Sequence, residues 1–229
     1  MDLGGFRGVT SLEDYRDWLE SFYRMGLCTF GFASGFFRDK TILEIGSGPF
    51  GMLGCMPYAR GLAIDPLMTS FASYMRPHWK DQLLRVAAMG EELPARSETF
   101  DVVVAINTLD HTLEPEKIVQ EACRVLKPSG LLLINNNVKS RAGMCLGSFG
   151  ERFGIKRLTE VFHPHAFSKG NLIGICRSAG FEVIANLLAK SSEPLESRSK
   201  WSWQHTLRRW VEDERALWLL AKKPELAKK

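Results

Sequence analysis

The chain has 229 residues, 45% of them hydrophobic and 24% charged, with a formal net charge of +4. This length predicts one domain with a substantial core, and the small charge, without a basic run, argues against a nucleic-acid-binding protein. No apolar run is long enough to span a membrane, and the N-terminus lacks the pattern of a secretory signal. Five scattered cysteines without a C-x-x-C pair argue against a disulfide framework and a zinc site, so we expect a cytoplasmic protein.

An amphipathic helix is predicted first, over residues 11–27, where Ser11 and Asp14 have capping-box spacing. One face of this helix is apolar, formed by Leu12, Tyr15, Leu19 and Phe22. In the simpler interpretation this face packs on the sheet. In the alternative, the helix is a lid that closes aromatic side chains over a ligand, namely Trp18, Phe22 or Tyr23.

Short apolar runs alternate with helical patterns along the rest of the chain, which predicts a sheet with helices on both faces. The predicted strands are 41–46, 61–65, 83–88, 101–106, 130–136, 181–188 and 215–223. Helical spacing covers 68–75, 115–126 and 168–179. The segments 137–165 and 190–214 fit neither pattern, and connections of this length are usually functional or mobile. The second contains Trp201, Trp203 and Trp210 beside Arg208 and Arg209, which pack on the body or line an acceptor pocket.

A glycine loop, "LEIGSGPFG", follows the first predicted strand over residues 43–51. Its glycines fit G-x-G-x-x-G, a pattern typical of NAD or FAD binding. Glu44 would repel the pyrophosphate of a dinucleotide, whereas S-adenosylmethionine carries an ammonium and a sulfonium that a carboxylate attracts. Asp65 closes the second strand, where it can accept hydrogen bonds from the ribose hydroxyls of either cofactor. Alternatively, Asp65 is a helix N-cap followed by Pro66.

The stretch 91–134 contains four short motifs in this order: Leu93-Pro94, Phe100-Asp101, "LDH" and "RVLKPSG". With the glycine loop and "GLAID", it resembles the class I S-adenosylmethionine-dependent methyltransferases of the methyltransferase-11 type, over about residues 40–189 and the last strand. The resemblance implies a Rossmann-like, mostly parallel seven-stranded sheet of order 3-2-1-4-5-7-6, with strand 7 antiparallel and helices on both faces. We expect one domain, 1–229. It consists of an N-terminal helical cap (1–38), a core with the cofactor site (39–189), an insertion (190–214) and the last strand (215–223).

The resemblance also implies which residues bind S-adenosylmethionine. Its methionine end is assigned to Glu44, Gly46, Ser47, Gly48, Asn107 and Thr108, and its ribose to Asp65 and Pro66. Met89 replaces the acidic residue that usually accepts from adenine, which leaves Gly90 N–H and Glu91 as the predicted adenine contacts. Phe50 replaces the usual third glycine, and Gly51 follows it, which predicts a turn one residue wider.

Methyl transfer to a hydroxyl requires removal of a proton, and histidine is the usual base near neutral pH. The candidates are His165 and His163, followed by His111; each can instead have a structural role. We expect no metal, because no carboxylate or cysteine accompanies the H-x-H pair at ligand spacing. The predicted function is O-methylation of a small molecule in glycan or secondary-metabolite biosynthesis. The alternatives are an NAD(P)-dependent oxidoreductase and a non-catalytic S-adenosylmethionine-binding subunit. The sequence does not indicate the acceptor or the oligomeric state.

Overall fold

The computed structural model describes residues 11–33, 35–79, 82–139, 165–190 and 215–225. Its strands are β1 (Thr41–Ile45), β2 (Arg60–Ile64), β3 (Leu84–Val86), β4 (Phe100–Ile106), β5 (Leu126–Val138), β6 (Glu182–Lys190) and β7 (Arg215–Lys222). Its helices are α1 (Leu12–Thr29), α2 (Met68–Met75), α3 (Pro115–Val125) and α4 (Lys169–Ser178), with short 3-10 helices at Arg76–His78 and Leu109–His111. None of the helices in these ranges is long and apolar enough to cross a membrane.

The seven strands form one sheet of order β3-β2-β1-β4-β5-β7-β6. β7 runs antiparallel to both of its neighbours, and the other adjacent strands are parallel. The strand count and order that the resemblance implied are therefore confirmed. Because the order reverses between β1 and β4, the carboxyl ends of these two strands flank the crevice where ligands bind in open α/β sheets.

Helices cover both faces of the sheet, as the apolar runs predicted. On one face, α3 and α4 pack through Ile118, Val119, Ala122, Leu172 and Cys176. On the other, α1 and α2 pack beside the segment that follows β1, through Leu19, Tyr23, Leu27, Met68 and Met75. The glycine loop therefore lies on the face that also carries α1 and α2.

Helix α1 begins and packs as its sequence predicts. Asp14 N–H donates to Ser11 Oγ at 3.0 Å, and Ser11 N–H donates to the Asp14 carboxylate at 2.9 Å, which completes the capping box. The Phe22 ring lies 5.2 Å from that of Trp218 in β7. Packing of this face on the sheet is therefore confirmed, whereas closure over a ligand stays a prediction.

The predicted boundaries differ most around the start of β5. Helix α3 ends at Val125, and Leu126 already has extended backbone and pairs with Phe100 in β4. The register then shifts, so that Val102 pairs with Leu131, and the intervening residues form a bulge that the short predicted strand did not include. At its other end β5 includes residues 137 and 138, which we had assigned to a connection. Residues 140–164 and 191–214, with the tryptophans and arginines of the predicted insertion, lie outside the described residues.

Two helical glycines make opposite predictions about stability. A Cβ atom on Gly26 would lie 2.3 Å from the buried Trp218 ring, whereas one on Gly174 in α4 would meet no atom of the described part of the chain within 4 Å. Gly26→Ala should therefore lower the free energy of unfolding by about 1–3 kcal/mol through overpacking. Gly174→Ala should raise it by up to about 1 kcal/mol, because alanine favours helix. Urea unfolding of both variants measures this, and equal effects would contradict the packing of α1.

Candidate cofactor site

The glycine loop after β1 has the backbone conformation that only glycine adopts easily. Gly46, Gly48 and Gly51 have φ angles of +66°, +57° and +64°. A Cβ atom on Gly46 would lie 2.4 Å from the Thr108 side chain, so this glycine also permits close packing of the segment after β4. A Cβ atom on Gly48 would meet no atom of the described residues within 4 Å. The backbone at Gly48 thus borders open space in which a ligand can approach it.

Glu44 organises this loop from within the protein. Its carboxylate is buried and accepts hydrogen bonds from Met52 N–H at 2.6 Å and Leu53 N–H at 2.9 Å. A Cβ atom on Gly51 would lie 2.5 Å from a Glu44 oxygen, so the displaced third glycine makes room for this carboxylate. Burial raises the pKa of the Glu44 carboxyl to about 7, although the two N–H groups and the Arg85 guanidinium lower it. The structure thus shows a contact with the loop backbone, and the contact of Glu44 with the cofactor stays a prediction.

Asp65 connects the end of β2 to the same loop. One carboxylate oxygen accepts from Gly48 N–H at 2.9 Å, and the other accepts from Leu67 N–H at 2.8 Å. Helix α2 begins at Met68 with Leu67 as its N-cap, so the alternative interpretation of Asp65 as N-cap is wrong. A carboxylate has about four lone-pair sites. Two ribose hydroxyls can therefore still donate to Asp65 while both backbone contacts remain.

Ser47 and Pro66, also predicted to bind the cofactor, flank these two contacts. Ser47 N–H donates to Ile64 O at 3.1 Å, which adds a second link between the loop and β2. The Ser47 side chain is buried, whereas Pro66 is exposed beside Asp65. The loop is therefore connected to the end of β2 through both its backbone and a carboxylate.

Asn107 and Thr108 follow β4 on the other side of the crevice. Thr108 is buried, and its hydroxyl lies within hydrogen-bond distance of Ile45 O (3.1 Å) and Ile106 O (3.0 Å). Asn107 is exposed at a φ of +48°, and its N–H donates to Asn135 O at 2.7 Å. Thr108 therefore joins the ends of β1 and β4, whereas the Asn107 side chain is free to face a ligand.

Gly90 and Glu91, the residues predicted to bind the adenine of the cofactor, lie beside the start of α3. Gly90 is buried against Ile45, which a Cβ atom would approach to 2.8 Å. The buried Glu91 carboxylate accepts from Leu113 N–H at 3.1 Å and Glu114 N–H at 3.4 Å, and so stabilises the residues that lead into α3. This contact was not predicted.

Three large apolar side chains are exposed after β2, β3 and β4. The exposed fractions are 56% for Leu67, 45% for Met89 and 76% for Leu113.

Two of the three predicted histidines lie near one another in the fold. His111 is exposed in the 3-10 helix after β4. His165 contacts the same segment, because its N–H donates to Asp110 O at 3.4 Å and its Nε2 lies 3.2 Å from Leu113 O. His163 lies outside the described residues.

A buried polar cluster, Asp110, Asn135 and Asn136, lies at the carboxyl ends of β4 and β5 and was not predicted. The Asn136 amide donates to the Asp110 carboxylate, and Leu109 N–H donates back to Asn136 Oδ1 at 3.4 Å. Asn135 Oδ1 is buried and has no hydrogen-bond partner among the residues that the structure describes. The signal in the sequence was the run of three asparagines that ends the apolar strand β5. This cluster holds the segment that carries His111.

A cavity of about 310 Å³ opens at the opposite edge of the sheet, at the amino ends of the strands. It is lined by Thr41, Arg60, Leu84 and Phe100, which begin or immediately adjoin β1 to β4. Ligands of open α/β sheets bind at the carboxyl ends. We therefore assign the cofactor site to the glycine-loop edge.

The raised pKa of Glu44 predicts a pH-dependent stability. A carboxyl whose pKa rises from 4.5 to about 7 on folding stabilises the fold most below pH 4.5, and this contribution is lost as the pH rises to 7. Glu44→Gln should cost about 1–3 kcal/mol at pH 5, because its amide cannot accept from both loop N–H groups. The cost should shrink by about 2 kcal/mol by pH 7.5. Urea unfolding at both pH values tests this, with the exposed Glu182→Gln as control; a constant difference would contradict it.

Residues 43–134 match the family described as "Methyltransferase domain". The chain is 32% identical over 118 residues to the human mitochondrial ubiquinone biosynthesis O-methyltransferase. The alignment covers 46% of this chain and 31% of that protein. It is 29% identical over 101 residues to the ubiquinone biosynthesis O-methyltransferase of Paracidovorax citrulli, covering 43% of this chain and 41% of that protein. The chain spans about a third to a half of the length of the curated relatives it matches.

Solved structures share the fold at low sequence identity. A putative methyltransferase from Bacillus halodurans superposes with a TM-score of 0.66 at 16% identity, over 89% of this chain and 99% of that one. The [4+2]-cyclase SpnF superposes with a TM-score of 0.65 at 18% identity, over 90% of this chain and 81% of that one. The family match over residues 43–134 and the order of the strands together support a class I S-adenosylmethionine-dependent methyltransferase.

Proposed function

We propose that this protein transfers a methyl group from S-adenosylmethionine to a hydroxyl of a small molecule. The observation that carries the proposal is the contact between Gly48 N–H and the Asp65 carboxylate, 2.9 Å apart at the carboxyl ends of β1 and β2. It brings an approachable backbone and a charged ribose acceptor to the crevice between β1 and β4. Residues that fit the methionine part and the ribose of S-adenosylmethionine thus lie side by side.

The curated relatives support oxygen as the methylated atom, because the two compared above are named ubiquinone biosynthesis O-methyltransferases. Their names concern the relatives' pathway and assign none to this chain. Glycan or secondary-metabolite biosynthesis, which we predicted from the sequence, stays a prediction.

The residues of the site would mainly align the two reactants. S-adenosylmethionine supplies an electrophilic methyl group, and the displacement requires the attacking oxygen to lie in line with the carbon–sulfur bond. Glu44, Asp65 and Thr108 hold the strand ends and loop on which the donor would rest. Asn107 is exposed, and its side-chain amide would orient either reactant at the sulfonium.

His165 is the base that the geometry favours. A carbonyl oxygen only accepts hydrogen bonds, so a neutral His165 ring bonded to Leu113 O carries its hydrogen on Nε2. Nδ1 then has the free lone pair. In the proposed step the acceptor oxygen bonds to the methyl carbon, the carbon–sulfur electron pair stays on sulfur, and the hydroxyl proton passes to Nδ1.

Binding of S-adenosylhomocysteine tests the cofactor directly. At about 100 times its dissociation constant it should raise the free energy of unfolding by about 2.7 kcal/mol, because it binds the folded state only. NAD at the same concentration should have no effect. Thermal denaturation with each ligand measures this, and stabilisation by NAD alone would support the oxidoreductase alternative.

Turnover with methyl-labelled donor and a panel of phenols, catechols and glycosides tests the reaction. His165→Ala should lower turnover of the methylated compound by about 10²–10⁴-fold while the affinity for S-adenosylhomocysteine holds. The exposed His78→Ala, in the 3-10 helix after α2, is the matched control. Wild-type turnover in the His111, His163 and His165 variants would remove the histidine base. Ligand binding without turnover of any compound or of a metabolite extract would favour a non-catalytic subunit.

A further inference from the structure

Trp79 contacts the cofactor loop from a distant part of the chain. It follows the 3-10 helix Arg76–His78, and its indole N–H donates to Pro49 O at 2.6 Å. Pro49 lies between Gly48 and Phe50, 30 residues earlier. No pattern in the sequence connects the two residues, and neither was among the predicted site residues.

The loop depends on such contacts because its backbone is intrinsically free. Glycines at positions 46, 48 and 51 allow many conformations, so interactions from outside must select one. Asp65 holds Gly48 N–H, and Glu44 holds the N–H groups of Met52 and Leu53. Proline has no N–H. Its carbonyl is therefore the only backbone group through which residue 49 can accept or donate a hydrogen bond, and Trp79 occupies it.

The indole ring is itself held in place. The Arg85 guanidinium lies 4.5 Å from the centre of the Trp79 ring, in cation–π geometry. Arg85 belongs to β3 and pairs with Ala63 of β2, which in turn pairs with Glu44 of β1. The donor that reaches Pro49 is thus fixed to the same sheet that positions Asp65 and Glu44.

We propose that Trp79 is a positioning residue of the cofactor site. By holding the Pro49 carbonyl it keeps the backbone at Gly48 in the conformation that receives the methionine end of S-adenosylmethionine. The inference rests on the proposed function of the loop as the site of that cofactor. A residue that only packed in the core would affect stability, whereas a positioning residue affects the affinity for the ligand more than the stability of the free protein.

Trp79→Phe separates these two roles. Phenylalanine keeps an aromatic ring beneath Arg85 but lacks the N–H group. The dissociation constant for S-adenosylhomocysteine, measured by calorimetry on the full chain, should rise about three- to tenfold, the effect of one hydrogen bond. Tyr74→Phe, which removes an exposed hydroxyl from α2, is the control and should bind as wild type. The ligand-free melting temperature of Trp79→Phe should stay close to that of the control.

A spectroscopic measurement on the wild-type protein provides a second test of the positioning role. The indole N–H resonance of Trp79 in the NMR spectrum should shift when S-adenosylhomocysteine is added. This resonance is assigned by its absence in Trp79→Phe. If that variant does not fold, residue-specific labelling gives the assignment. A dissociation constant within twofold of wild type, or an indole resonance unmoved by a ligand that binds, would overturn the positioning role and leave the proposed function intact. Absence of S-adenosylhomocysteine binding by the wild type would overturn both.

Discussion

The buried carboxylate of Glu44 is the interaction on which the cofactor edge depends. It lies at the penultimate position of β1 and accepts two backbone N–H groups from the turn that follows. A buried carboxyl is costly unless hydrogen-bonded, and a loop rich in glycine has no strong preference of its own. Each therefore supplies what the other lacks: the loop satisfies the carboxylate, and the carboxylate selects the loop conformation.

The same loop is held from three directions. Glu44 contacts it from β1, Asp65 from β2 and Trp79 from the segment after α2. Each contact joins a side chain to a backbone group of the loop, so side chains of the loop residues other than its glycines can change without loss of the contact. This explains how Phe50 stands where related loops have glycine: its buried ring lies 5.9 Å from that of Tyr15 in α1, and the hydrogen bonds do not involve its side chain.

The elements of the fold were predictable because their signals are local. Apolar runs marked the strands, and Ser11 with Asp14 marked the start of α1 three residues apart. The order of the strands came from the resemblance to a family, not from the periodicity. The contacts of the site were harder, because Glu91 with Leu113 and Asn136 with Asp110 join residues 22 and 26 positions apart. The charge of Glu44 predicted a contact with the cofactor, which stays a prediction; its contacts with Met52 and Leu53 of the turn were not predicted.

The antiparallel β7 determines at which edge of the sheet the connections around it begin and end. Lys190, Arg215 and Val138 lie side by side in the register of β6, β7 and β5, at the same edge of the sheet as the glycine loop. The chain therefore leaves β6 and re-enters β7 at the cofactor edge, next to the point where it leaves β5. Under the proposed function, an acceptor would therefore approach the donor at the edge of the sheet where both connections begin or end. A change of length in either connection would leave the seven strands and the glycine loop as they are.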